Sequence, residues 1–179
     1  YKAFDSLGCN ISHIDFFKRT INLEKHIFKQ DIIFVGGGNT KSMLAVWKEW
    51  GLDILLKDAY KSGTIMSGVS AGAICWFKNG ITDSWKDYQA VLPCLGFVNG
   101  NCCPHYDEEP ERIPYVKEIL EKNIIDKCYA IEGFCALHMI DDLPKFIVSF
   151  GAGNDSHDVS CKDNEIIHNQ IINTTKIQL

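Results

Sequence analysis

The sequence predicts an α/β fold with a parallel sheet, on three observations. Two short apolar runs, Ile32–Val35 and residues 64–66, lack any alternation of apolar and polar positions. Each run ends in a glycine-containing loop, and each loop opens onto a helical pattern. A run without alternation suits a strand covered on both faces, as in a sheet flanked by helices. Loops at the C-terminal ends of such strands are where α/β folds place ligands.

The elements follow in order. The opening "YKAFDSLGCNISHIDFF" predicts the end of a helix over 1–6, a stop at Gly8 and a strand over 10–16. Residues 22–29 read as a short helix. After the glycines of "DIIFVGGGNT", Asn39 or Thr40 can cap the helix "KSMLAVWKEW", whose Met43, Leu44, Val46, Trp47 and Trp50 mark a broad apolar face. Gly51 ends that helix, and Gly63 ends the next, over 53–61. The strand at 64–66 then leads through a turn at Ser70 into a helix over 71–77. "LPCLGFVNGNCCPHYDEE" reads as loop and strand, and 111–123 as an amphipathic helix with Val116, Ile119 and Leu120 facing inward. "CYAIEGFCALHMIDDLPKFIVSF" reads as three short strands broken at Glu132-Gly133 and Asp141-Asp142, and the alternating tail from 165 to 179 as edge strands. With no internal repeat or linker, residues 1–179 read as a single domain, a length that buries roughly 70% of the unfolded surface.

Composition narrows the function classes. Hydrophobic residues are 46% and charged residues 23%, an ordinary globular balance. A net charge of −5 with no basic run argues against nucleic acid or an anionic membrane as partner. No apolar run approaches the 18 or so residues of a membrane span. Eight cysteines lack any Cys-x-x-Cys pair, so they read as reduced thiols of a cytoplasmic protein, not as a zinc ribbon or a disulfide scaffold.

The chemistry centres on "TIMSGVSAGAIC". Gly68-Val69-Ser70-Ala71-Gly72 fits G-x-S-x-G, in which small residues let the backbone turn sharply and project a serine hydroxyl at a helix start. The alternative is a serine in a tight turn. The position between strand and helix favours the nucleophile, with the Ala71 N–H as an oxyanion donor. Gly36, Gly37 and Gly38 lack the lysine of a P-loop and the spacing of a dinucleotide site. They suit a second backbone N–H for the same oxyanion. A serine nucleophile needs a base. Of six histidines, His105 stands out, in a loop after Pro104 beside Tyr106 and Asp107. Cys102, Cys103 and His105 could also be read as metal ligands, but adjacent cysteines suit one tetrahedral zinc poorly. A carboxylate should hold the base's tautomer. Glu132, before a glycine at the end of an apolar strand, is the first candidate, with Asp83 and Asp107 as rivals.

Together, "DIIFVGGGNT", "SGVSAGAICWF", "ITDSW", "CPHYDEEPER" and "AIEGFCAL" resemble the peptidase E family of serine peptidases, which includes α-aspartyl dipeptidases and is related to cyanophycinases. The PHYD form looks most like its Gram-positive, peptidase E-like branch. The resemblance implies a three-layer, mostly parallel sheet flanked by helices, like the class I glutamine amidotransferases. It implies catalytic Ser70, His105 and Glu132, an oxyanion hole from Gly37 and Ala71, and substrate binding by Arg112 and Asn39. It also implies a strand, a helix and a second strand before Tyr1, about 40–50 residues.

The expected reaction is hydrolysis of a small peptide, such as a dipeptide with N-terminal Asp, through an acyl-enzyme and without metal or organic cofactor. The small peptide is the expected partner, and a homodimer is one assembly left open. The rivals are an isoaspartyl or cyanophycin-type peptidase or amidase on the same fold, a non-catalytic binding protein that retains the elbow, and an amidotransferase using Cys75.

Overall fold

A computed structural model describes residues 2–19, 22–85, 88–150, 153–163, 165–171 and 175–178. The chain divides into two compact units, residues 1–30 and 31–179. The first unit holds two short helices, α1 (Lys2–Asp5) and α2 (Leu23–Ile27). Asn22 caps α2 by accepting the Lys25 N–H at 2.9 Å. The strand expected over 10–16 does not form. Among the described residues this unit offers no second strand to pair with, and an unpaired strand leaves its backbone groups to water.

The second unit opens with β1 (Ile32–Val35), followed by α3 (Thr40–Glu49) and α4 (Leu52–Lys61). Asn39 caps α3, its Oδ1 accepting the Ser42 N–H at 2.9 Å. Gly51 takes a left-handed φ of 65° between the two helices, a conformation that costs glycine nothing. Trp47, Leu52, Leu56 and Ala59 carry the buried side of this pair. β2 (Ile65–Gly68) pairs parallel with β1 in the register Ile32↔Ile65 to Val35↔Gly68. The expectation that both faces of β1 are covered is corrected here. Ile32, Phe34 and Ile65 are each about half exposed, so this two-stranded sheet presents one apolar face to solvent.

Helix α5 spans only Ala71–Ile74, shorter than the sequence suggests. The chain then enters β3 (Phe77–Trp85), β4 (Tyr88–Pro93) and β5 (Val98–Cys103), helix α6 (Arg112–Glu121), β6 (Lys127–Ile131), β7 (Cys135–Ile140), β8 (Leu143–Ser149), β9 (Ser156–Lys162), β10 (Glu165–Gln170) and β11 (Thr175–Gln178). Strands β3, β4 and β9 are absent from the sequence reading. The three strands expected between 128 and 150 are present as β6, β7 and β8. The tail supplies β10 and β11, each at a sheet edge among the described residues.

These strands form a six-stranded sheet, ordered β10-β9-β6-β5-β3-β4, and a three-stranded sheet, ordered β11-β8-β7. The protein is therefore α/β with mixed sheets. Parallel pairing runs through β3, β5 and β6, and antiparallel partners flank it on both sides. Hairpins account for much of the antiparallel share. Between β7 and β8, Asp141 and Asp142 both take positive φ, 49° and 63°, as a two-residue type I′ turn requires.

Two cores lie on the six-stranded sheet. One gathers Val116, Ile119 and Leu120 of α6 with Ile81, Cys103, Tyr106, Cys128 and Val159, as the helix pattern predicts. The other gathers Ile74, Phe77, Val98, Cys102, Tyr129 and Ile147. Successive strand residues point to opposite faces, so adjacent Cys102 and Cys103 belong to different cores. Among the described residues no helix is long and apolar enough to cross a membrane.

Candidate active site

Ser70 stands between β2 and α5 with φ 57° and ψ −119°, outside the regions an L-residue favours. Such a conformation costs about 1–3 kcal/mol and persists only where the surroundings impose it. Here the surroundings are backbone. A β-carbon on Gly72 would fall on the Val35 carbonyl oxygen, and one on Gly68 would fall on the Gly72 carbonyl. The glycines of G-x-S-x-G thus let β2, α5 and the end of β1 pack main chain to main chain. The Val69 N–H donates to Val35 O at 3.1 Å, which fastens the elbow to β1.

The glycine loop after β1 lies directly against the serine. A β-carbon on Gly37 would sit 3.3 Å from Ser70 Cβ and 3.8 Å from its Oγ. Ala71 is the first residue of α5, where backbone N–H groups have no partner inside the helix. The structure therefore brings Gly37, Ser70 and Ala71 together.

The end of β3 joins this loop to the rest of the sheet. Asn39 Nδ2 donates to Ser84 O at 2.9 Å, and the Lys41 N–H donates to Ser84 Oγ at 3.3 Å. The buried Thr40 and Thr82 hydroxyls lie 3.5 Å apart. Asn39 thus spends its amide on Ser84 and its oxygen on the α3 cap, which leaves it less free for substrate than expected.

Arg112 lies on the other side of β3. Its side chain is 3% exposed. Nε donates to Glu109 Oε2 at 2.7 Å, Nη1 to Ile81 O at 2.8 Å and Nη2 to Asp83 Oδ1 at 3.3 Å. All three nitrogens are engaged, so a substrate carboxylate would have to displace one of these acceptors. In this geometry Arg112 clamps the start of α6 to β3.

His105 follows β5, which runs parallel to β3 with Gly80 opposite Cys102. The glycine loop and Ser70 thus follow the ends of the paired strands β1 and β2, and His105 follows the end of β5 in the six-stranded sheet. His105 takes φ 51°, and its carbonyl receives the N–H groups of Glu108 and Glu109, both at 3.3 Å. Its Nδ1 lies 2.6 Å from Glu108 Oε2. No hydrogen bond joins Ser70 to His105 among the described residues; such bonds are often long or unformed before substrate binds.

The three acids nominated from sequence sit elsewhere. Glu132 Oε2 accepts the Asp155 N–H at 2.8 Å, and its Oε1 lies 3.3 Å from His157 Nε2. Asp107 accepts the Gly133 N–H at 2.7 Å and Asn154 Nδ2 at 3.3 Å. Asp83 is on Arg112. Glu108 was not foreseen, although a carboxylate three residues along a tight turn was a readable signal.

The remaining nucleophile candidates lie apart. Cys75 is fully buried, its Sγ donates to Gly72 O at 3.3 Å, and burial pushes its thiol well up. Burial likewise raises Cys103, to about 12. Because Cys102 and Cys103 face different cores, they cannot share one metal ion.

The sequence model of peptidase family S51 matches residues 1–147. The protein named uncharacterized peptidase YgaJ, of Bacillus subtilis (strain 168), is 41% identical over 167 residues, spanning 93% of this chain and 72% of its own length. Uncharacterized peptidase Lmo0363 of Listeria monocytogenes is 30% identical over 132 residues, spanning 70% of this chain and 62% of its own. A Listeria monocytogenes EGD-e crystal structure named for peptidase E superposes with a TM-score of 0.57 over 94% of this chain and 74% of that one. At 21% identity that likeness speaks for the fold alone. The family match covers the elbow, the glycine loop and the His105 turn alike, and the chain belongs to peptidase family S51, a family of serine peptidases.

Proposed function

We propose that Ser70 is the nucleophile of a hydrolase for small peptides and His105 its general base. His105 takes the Ser70 proton as Oγ attacks the peptide carbonyl. The N–H groups of Gly37 and Ala71 receive the developing oxyanion. The amine leaves with the proton from His105, and water then releases the acyl-enzyme by the same route. The observation that carries this reading is the backbone of Ser70, held at φ 57° and ψ −119° with Gly37 against it. A turn that served only to reverse the chain would have no need of that strain.

The proposed substrate class is the dipeptide with N-terminal Asp, with isoaspartyl peptides as second choice. The family resemblance supports this more than the engaged Arg112 does. The proposed architecture is the three-layer, class I glutamine amidotransferase-like one. No disulfide joins the cysteines among the described residues, which supports placing the enzyme in the cytoplasm, as monomer or homodimer.

The test is a hydrolysis screen of Asp-X, isoAsp-X and neutral dipeptides, with fluorophosphonate labelling alongside. The wild-type chain should label at Ser70 and hydrolyse one class. Ser70→Ala should abolish labelling and cost on the order of 10⁴-fold in kcat. Undiminished hydrolysis by Ser70→Ala would remove the assignment.

A further inference from the structure

We infer that Glu108, three residues beyond the base on the same turn, is the carboxylate that positions His105, and that Glu132 instead anchors a neighbouring loop. The inference deepens the reading above and rests on His105 as the base.

The first observation is the contact. At 2.6 Å, the Nδ1–Oε2 separation is that of a close hydrogen bond, just under the roughly 2.7–2.9 Å of charge-assisted N–H···O pairs. A carboxylate at Nδ1 fixes the proton there and leaves Nε2 with the lone pair that accepts a proton from serine.

The second observation is how the carboxylate is housed. A β-carbon on Gly133 would lie 2.5 Å from Glu108 Cδ and 2.6 Å from Oε1. A side chain at 133 would push the Glu108 carboxyl, the movable end of its side chain, out of this position. The glycine of the Glu132-Gly133 turn therefore makes room for a different glutamate from the one beside it. The turn is also tied in place, since the Tyr106 N–H donates to Ile131 O at 3.1 Å and the Gly133 N–H to Asp107 at 2.7 Å.

The third observation is elimination among the acids around the base. Glu132 spends one oxygen on the Asp155 N–H and sets the other beside His157. Asp107 is held by Gly133 and Asn154, and Asp83 and Glu109 are both on Arg112. Among the described residues, Glu108 is the acid hydrogen-bonded to the His105 ring. Its half-exposed side chain also makes it a mild position to substitute.

The experiment compares Glu108→Gln, Glu108→Asp and Glu132→Gln in the full chain, using the rate of fluorophosphonate labelling at Ser70. In that reaction Ser70 Oγ bonds to phosphorus, fluoride leaves and His105 takes the serine proton. Glu108→Gln should slow labelling on the order of 10²-fold or more, with partial recovery in Glu108→Asp. Glu132→Gln should lose at least tenfold less. A proton spectrum gives an independent readout. The low-field signal of a carboxylate-bound Nδ1–H should be present in wild type and Glu132→Gln and absent in Glu108→Gln. The reverse ranking of the two glutamines, or a low-field signal that survives Glu108→Gln, overturns the inference. If the wild-type chain fails to label, the serine-nucleophile reading fails, and the spectrum still decides what holds His105.

Discussion

Gly37 lies against Ser70, so closely that a β-carbon on the glycine would stand 3.3 Å from Ser70 Cβ. Few side chains tolerate that approach without one of them moving by a few tenths of an ångström. Gly37→Ala should therefore displace either the serine or the backbone N–H assigned to the oxyanion. We expect a loss on the order of 10²-fold in kcat/KM, with little change in thermal midpoint. Steady-state kinetics on the substrate found in the screen, with a melting curve, checks this. Wild-type activity in Gly37→Ala would take the glycine loop out of the oxyanion hole.

Arg112→Ala should act on stability first. The guanidinium is buried, and its removal strands the Ile81 carbonyl and frees Asp83 and Glu109. We expect a loss of about 2–4 kcal/mol, since deleting one partner of a buried polar network costs more than the network contributes. Urea unfolding measures it. A substrate-binding role alone would instead raise KM at unchanged stability, and more for Asp-X than for neutral dipeptides.

His168 should make the fold sensitive to mild acid. Burial, and then the nearby His157 imidazole, lower its pKa from 6.5, against an opposing pull from Glu132. Tyr106, whose hydroxyl burial pushes upward, keeps its proton and lies 2.8 Å from His168 Nε2, within hydrogen-bond distance. The unfolded chain thus binds a proton near pH 6.5 that the folded chain binds only at lower pH. Stability is fully present above 6.5 and falls as pH drops through it, toward the lowered folded value. Denaturant midpoints across that window should decline less in His168→Gln than in wild type. Identical declines would remove His168 as the source.

The cysteines should divide by accessibility. Cys9 is exposed, whereas Cys75, Cys102, Cys103 and Cys128 are buried and their thiols are pushed up by desolvation. Thiolate is the reactive form. A disulfide reagent should therefore modify Cys9 in the native chain and reach those four only on unfolding. Cys75→Ala should leave peptide hydrolysis intact, where a Cys75-dependent amidotransferase would lose activity.

Much of the site was legible because local chemistry specifies it. The glycines at 37, 68 and 72 announce close approaches, and Asn39 announces a helix cap, whatever surrounds them. The helix face of Val116, Ile119 and Leu120 was legible for the same reason, since its 3.6-residue period belongs to the segment. Strands β3, β4 and β9 were not. Segments such as "FKNGITDSW" and "SHDVSCK" have weak patterns of their own and become strands through their neighbours' ladders. The strand expected over 10–16 failed for the converse reason, a pattern with no partner strand in its unit.

By itself, then, the sequence determined the α/β class, the elbow at Ser70, the glycine loop that adjoins it and the turn that carries His105. Each depends on residues near one another in the chain. Only the tertiary structure decided which acid meets the imidazole and whether Arg112 is free. Both depend on groups far apart in sequence competing for a few donors and acceptors. Glu132 is drawn to Asp155 and His157 across the sheet, Arg112 is taken by β3, and the place beside His105 falls to Glu108.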